Sequence, residues 1–186
     1  MKRLFFFLLT TLLLLSTPAA ATTVAGIELP ETTTVSGEEL QLNGYGLRKK
    51  LFFKVYLGSL YTSSKAETAD QVLAMPGAKL IRMDFIYKKV DSEKIVDAFA
   101  EGFAKNSPQF AKTELAQQFL ELFTTDFVAG DRVDLQISAH HKIVARHNTT
   151  TLGRIQSTDL AQAILLIYLG DQPADDKLKQ GMLGQF

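Results

Sequence analysis

The segment Ala78–Lys88 alternates cleanly: Leu80, Arg82 and Asp84 fall on one side, Ile81, Met83, Phe85 and Tyr87 on the other. A period of two is a strand signature. Upstream, Leu40, Leu42, Tyr45 and Leu47 run through Asn43-Gly44-Tyr45-Gly46 into an aromatic and β-branched stretch, Leu51–Tyr61. That enrichment, with glycine punctuation, predicts further strands and no helix. A chain that invests this much sequence in strands must cover the sheet with something.

The remaining periodic segments supply the cover. Ile95, Val96, Phe99 and Phe103 recur at helical spacing behind Asp91 or Ser92 as a cap. Ser107-Pro108 is expected to open a second helix carrying Leu115, Phe119, Leu122 and Phe123. A last long helix runs from Ser157-Thr158-Asp159 to Gly170, and Asp175–Leu183 forms a short amphipathic finish. Thr68–Met75 is a shorter helix stopped by Pro76-Gly77. Strands are also expected at Val24–Leu29, at Val133–Ile137 and over Ile143–Thr151, with turns near His140-His141 and at Gly153, while Thr32–Thr34 reads as a connection. The fold class is therefore α+β, a mainly antiparallel sheet with helices packed on one face.

The first 21 residues stand apart. Lys2 and Arg3 precede an apolar run, Leu4–Leu15, and Ala19-Ala20-Ala21 offers a small-residue cleavage site, so residues 1–21 read as a cleaved secretory signal peptide and 22–186 as one domain. The apolar run is shorter than the roughly 20 residues a spanning helix needs. The expected product is periplasmic and soluble, with no integral membrane segment after cleavage.

Composition narrows the chemistry. Basic and acidic residues number 20 each, which leaves no basic surface for nucleic acid. Cysteine is absent, so disulfides, thiolate metal sites and a cysteine nucleophile are excluded. No phosphate-binding glycine loop, zinc-protease pair or nucleophile elbow occurs, and no cofactor is expected. His140, His141 and His147 read as solvated strand-end residues and not as metal ligands.

Arg48 is the candidate with a specific chemistry. It follows Gly44 and Gly46 in a segment rich in Leu, Phe and Tyr, and an arginine facing apolar space needs an anionic partner that its planar fork can grip. A ligand carboxylate answers that need, with Tyr56 and Tyr61 as neighbouring hydroxyls; an internal salt bridge to Asp84 or Asp134 answers it equally.

Two stretches, Leu42–Tyr56 (LNGYGLRKKLFFKVY) and Ala161–Asp175 (AQAILLIYLGDQPAD), resemble the chalcone isomerase-like family, most of all its exported bacterial branch. The resemblance implies an open-faced β-sandwich, a large antiparallel sheet covered by helices with a ligand cleft between them. It also implies that Arg48 matches the arginine that helps cyclise chalcones in the plant enzymes and that holds a fatty-acid carboxylate in the plastid binders. Tyr56 sits where the enzymes carry threonine and the binders tyrosine. Asp91, Ala98 and Ile167 stand where the isomerases carry a tyrosine, an asparagine and a hydroxyl residue, so polar partners for a flavonoid are missing.

The expected function is binding of a small hydrophobic acid such as a fatty acid, through Arg48 and Tyr56, with Tyr61, Ile167 and Tyr168 lining the site. The alternatives are an isomerase or lyase in which Arg48 stabilises an enolate and Tyr56 handles a proton, and a non-catalytic structural or interaction protein. Nothing in the pattern fixes an oligomeric state.

Overall fold

A computed structural model describes residues 21–185; residues 1–20, and with them nearly all of the expected leader, lie outside the described residues. Seven strands form one antiparallel sheet. In chain order they are β3 (Thr32–Val35), β4 (Glu38–Lys50), β5 (Phe53–Thr62), β6 (Lys79–Phe85), β9 (Arg132–Ile137), β10 (Lys142–His147) and β11 (Thr150–Gln156). Their order across the sheet is β11-β10-β9-β6-β5-β4-β3. Two small pairs flank it, β1 (Ala21–Val24) with β2 (Ile27–Pro30) and β7 (Lys89–Val90) with β8 (Phe127–Val128).

The alternation read from Ala78–Lys88 becomes β6, which is buried on both faces. One face, carrying Ile81, Met83 and Phe85 with Leu60, Val133 and Leu135, packs under helices. The other carries Leu80, Arg82 and Asp84, aligned with Tyr61, Ser59 and Leu57 of β5. There Arg82 grips Asp134 with both arms of its fork, Nε to Oδ1 at 2.8 Å and Nη2 to Oδ2 at 2.9 Å, and Asp84 accepts from Arg132 at 2.7 Å. Both carboxylates considered as internal partners for Arg48 are thus held by other arginines.

The helical cover consists of α2 (Ser92–Asn106), α3 (Glu114–Leu120), α4 (Thr158–Leu169) and α5 (Asp176–Met182), with α1 (Ala69–Ala74) at the margin. α4 buries eight of its residues, Leu160, Ile164, Ile167 and Tyr168 among them, as a helix enclosed on several sides must. α2 presents Ile95, Phe99 and Phe103 inward. Phe99 meets Phe119 and Phe123 at ring-centroid distances of 5.3 and 4.9 Å, a spacing typical of edge and offset aromatic contacts. α2 and α4 approach closely at Gly102, where a Cβ would stand 2.9 Å from Ile167.

Several local expectations are corrected. Val24–Leu29 is not one strand: Ala25 and Gly26 both take positive φ, 52° and 83°, and turn the chain between β1 and β2. Thr32–Thr34 is no mere connection, because it pairs with β4 as the sheet's edge strand. α3 starts at Glu114, where the Thr113 side chain accepts from Ala116 N–H, and not at Ser107-Pro108; Leu122 and Phe123 follow the helix. The turn expected at Gly153 lies at Asn148-Thr149, with Asn148 at a φ of 53°. His147 is no solvated strand end, since its ring packs on Phe127 at 4.9 Å and faces Asp131 at 3.1 Å.

Asn43-Gly44-Tyr45-Gly46 lies inside β4, so it is not a turn. A Cβ on Gly44 would sit 2.2 Å from the Gly181 carbonyl oxygen, and one on Gly181 would sit 2.1 Å from that of Tyr45. These glycines let α5 lie directly on the strand. The true reversal is the two-residue turn Leu51-Phe52 between Lys50 and Phe53.

Candidate functional site

Arg48 and Tyr56 are cross-strand partners on β4 and β5. The register puts both on the helix-covered face, with Gly46, Gly58 and Phe85. Beside them a cavity of about 410 Å³ opens between the sheet and α2 and α4. Its floor is Tyr56, Val55 and Met83; α2 contributes Ile95, Ala98 and Phe99, and α4 contributes Ile167 and Tyr168. The mouth carries Lys50, Leu51, Phe53, Tyr87 and Lys89, with Asp91 and Lys94 at the start of α2. The volume falls within the range of small-molecule sites, and a mainly apolar wall with few convergent polar groups is their usual make-up.

The polar groups at the inner end are few and defined. Burial pushes the Tyr56 phenol up to about 12, although Arg48 and a hydrogen bond with Tyr168 pull the other way. Burial also raises Tyr168 well above its ordinary value, and its one O–H is shared between Tyr56 and the Met83 sulfur, 3.2 Å away and a weak acceptor. Both phenols therefore stay protonated at neutral pH.

Arg48 is engaged loosely. Its Nη1 lies 3.6 Å from Asp175 Oδ2, with side-chain exposures of 25% and 17%, and 3.4 Å from the Lys49 carbonyl. Asp175 is otherwise occupied: Oδ1 accepts from Leu178 N–H at 3.0 Å, capping α5, and Oδ2 accepts from Lys49 N–H at 3.3 Å. Charge-assisted pairs close at about 2.7–2.9 Å. Arg82 with Asp134 meets that standard and Arg48 with Asp175 does not.

Of the five residues singled out in the sequence, the fold brings Arg48, Tyr56, Ile167 and Tyr168 together around this cavity. Tyr61 is not among them. It lies on the opposite face of the sheet, its hydroxyl donating to the Pro30 carbonyl at 3.1 Å and its ring under the Arg82 guanidinium at 5.6 Å. Asp91, at the N-cap position of α2, makes no capping hydrogen bond; it pairs with Lys89 at 3.1 Å, while Asp126 accepts from Ser92 N–H. Asp91, Ala98 and Ile167, to which the resemblance drew attention, all line the cavity.

Sequence reasoning missed Met83, Val55, Ile95 and Phe99 as lining residues. The signal for Met83 was its parity with Phe85 on β6, and Ile95, Ala98 and Phe99 share one helical face. No local signal pointed to Asp175, which reaches Arg48 only because α5 returns onto β4.

A profile of chalcone isomerase-like proteins matches residues 21–184. The chain belongs to the chalcone isomerase-like family. Within that family it is similar to fatty-acid-binding protein 1 of Arabidopsis thaliana, with 23% identity over 178 residues covering 79% of this chain. The chain spans 64% of that relative's length. The crystal structure of an Arabidopsis thaliana fatty-acid binding protein superposes with a TM-score of 0.72 at 21% identity, covering 88% of this chain and 96% of the other. The family's fold, a large antiparallel sheet with helices, is the one described above. Among the described residues no helix is long and apolar enough to cross a membrane.

Proposed function

We propose that this chalcone isomerase-like protein binds a fatty acid or similar hydrophobic carboxylate, its tail in the cavity and its head at Arg48 and Tyr56. One observation carries the reading: an apolar cavity of about 410 Å³ ends at a guanidinium whose internal carboxylate stands 3.6 Å away. A ligand carboxylate there gains a fork that Asp175 does not close, together with a phenol that remains a donor. Tail burial contributes about 0.8 kcal/mol per CH₂, and the charged hydrogen bonds fix orientation and add about 1.5–3 kcal/mol.

Ala98 and Ile167 present aliphatic surface to the cavity, which suits an alkyl chain better than a polyphenol whose hydroxyls need partners. The similarity to plant fatty-acid-binding proteins supports the same ligand class. The basic start at Lys2 and Arg3 and the apolar run that follows support a protein that works after export, in the periplasm. The test is to express the full chain, recover the protein from the periplasmic fraction without detergent, and follow native mass spectrometry with organic extraction. Co-purifying fatty acid in near-stoichiometric amount is the expected result; an empty protein that also fails to take up added palmitate contradicts the proposal.

A further inference from the structure

The hairpin joining β4 to β5 displays what a folded chain normally hides. Residues 49–54 are six consecutive exposed positions. At their centre Leu51, Phe52 and Phe53 are 84%, 96% and 55% exposed, and with Val128 they are the large hydrophobic residues that the described fold leaves in solvent. Single exposed hydrophobic residues are ordinary, but three in succession at the apex of a projecting turn mark a contact surface. Leu51 also takes a φ of 54°, a conformation that disfavours a bulky side chain and favours Asn or Gly. The turn thus carries an apolar residue where a polar one fits the backbone better.

The charged side chains of the tip itself, Lys49, Lys50 and Lys54, are all positive. Lys49 and Lys54 face each other across the strands and Lys50 pairs with Phe53, and among the described residues none of the three lysine side chains forms an ion pair. Two carboxylates lie behind the tip and both are engaged: Asp175 Oδ2 accepts from the Lys49 backbone N–H at 3.3 Å, and Glu101, whose carboxyl feels Lys50 and Arg48, is paired with Lys105 at 2.6 Å. Leu51, Phe53 and Lys50 are at the same time part of the cavity mouth. Apex and entrance are one continuous surface.

We propose that the Lys49–Lys54 hairpin tip docks on an anionic lipid surface, seating Leu51, Phe52 and Phe53 among the acyl chains with the three lysines at the phosphate level. An apolar apex inside a basic collar is complementary to that interface, where buried apolar area and attraction to anionic headgroups add. A second copy of this chain fits less well, because two such tips would bring their lysines together. The docking rests on the tip alone; only its use, delivering the cavity mouth to a source of acyl chains, rests on the fatty-acid reading.

The test is sedimentation of the mature protein with phosphatidylcholine vesicles, with and without phosphatidylglycerol. Wild type binds the phosphatidylglycerol vesicles and is released by salt, since the collar is screened over roughly 8–10 Å at physiological ionic strength. Phe52→Ser weakens binding by about tenfold while palmitate titration is unchanged, because Phe52 does not line the cavity. Lys49→Gln and Lys54→Gln each cost about fivefold on anionic vesicles only, the equivalent of about 1 kcal/mol per basic residue. Wild type that does not sediment, or a Phe52→Ser variant that sediments equally well, overturns the proposal. So does a concentration-dependent oligomer that Phe52→Ser dissolves without any vesicle binding, which assigns the tip to self-association. Vesicle binding by a protein that takes up no palmitate sustains the docking and removes the fatty-acid reading.

Discussion

Arg48 and Asp175 meet where α5 begins against β4, Nη1 to Oδ2 at 3.6 Å, and the same carboxylate caps α5 through Leu178 N–H at 3.0 Å. The aspartate is anchored by backbone donors whether or not Arg48 is present. The arginine keeps most of its hydrogen-bonding capacity at the edge of the cavity.

Asp175→Asn separates these two roles. Asparagine retains one acceptor for the cap but turns its amide NH2 towards the Lys49 N–H that Oδ2 serves in wild type, so stability falls by about 0.5–1.5 kcal/mol. Removing the negative charge leaves Arg48 to a ligand carboxylate. Since long, partly exposed pairs of this kind are worth about 0.2–1 kcal/mol, affinity for palmitate rises by up to about fivefold in isothermal titration.

Asp134→Ala behaves in the opposite manner. It removes the fork partner of the largely buried Arg82, and breaking such a pair costs about 3–5 kcal/mol. Urea unfolding measures that loss, while the cavity on the other face keeps its affinity for palmitate.

Gly44→Ala tests the seating of α5. The added methyl would meet the Gly181 carbonyl oxygen at 2.2 Å, and backbone on backbone cannot yield as a side-chain tip does. Destabilisation by about 1–3 kcal/mol is expected, with a matching loss on Gly181→Ala and no further loss in the double variant once α5 has lifted.

The phenol of Tyr56 gives a pH dependence with a definite sign. Burial raises it from about 10 to about 12, so the folded chain keeps a proton that the unfolded chain releases between those values. Its contribution is complete below about pH 10 and is lost as the pH climbs towards 12, amounting to about 2–3 kcal/mol. Urea titrations at rising alkaline pH should show a steeper fall for wild type than for Tyr56→Phe. Tyr61 and Tyr168 shift in the same direction and remain in both proteins.

Much of this architecture was legible in local pattern. The period-two run of β6 and the apolar stripe of α2 each encode their own partner face, and Arg48, singled out from its apolar neighbours, lines the cavity. The failures share a cause, which is that long-range packing overrides local punctuation. Gly44 and Gly46, which punctuate the strand segment in sequence, serve the close approach of a helix more than 130 residues later. The real turn holds Leu51 and Phe52, which carry no turn chemistry. Tyr61 was assigned to the site although it stands five positions from Tyr56 on one strand, and an odd separation puts two strand residues on opposite faces.

Titration of palmitate into wild type and Arg48→Ala, alongside urea unfolding of both, separates an Arg48 that binds a ligand carboxylate from one that serves as a structural ion-pair partner. For a ligand-binding Arg48, Arg48→Ala loses about 10- to 100-fold in affinity with a stability change below about 1 kcal/mol. Unchanged palmitate affinity together with a stability loss of about 3 kcal/mol or more would contradict that reading.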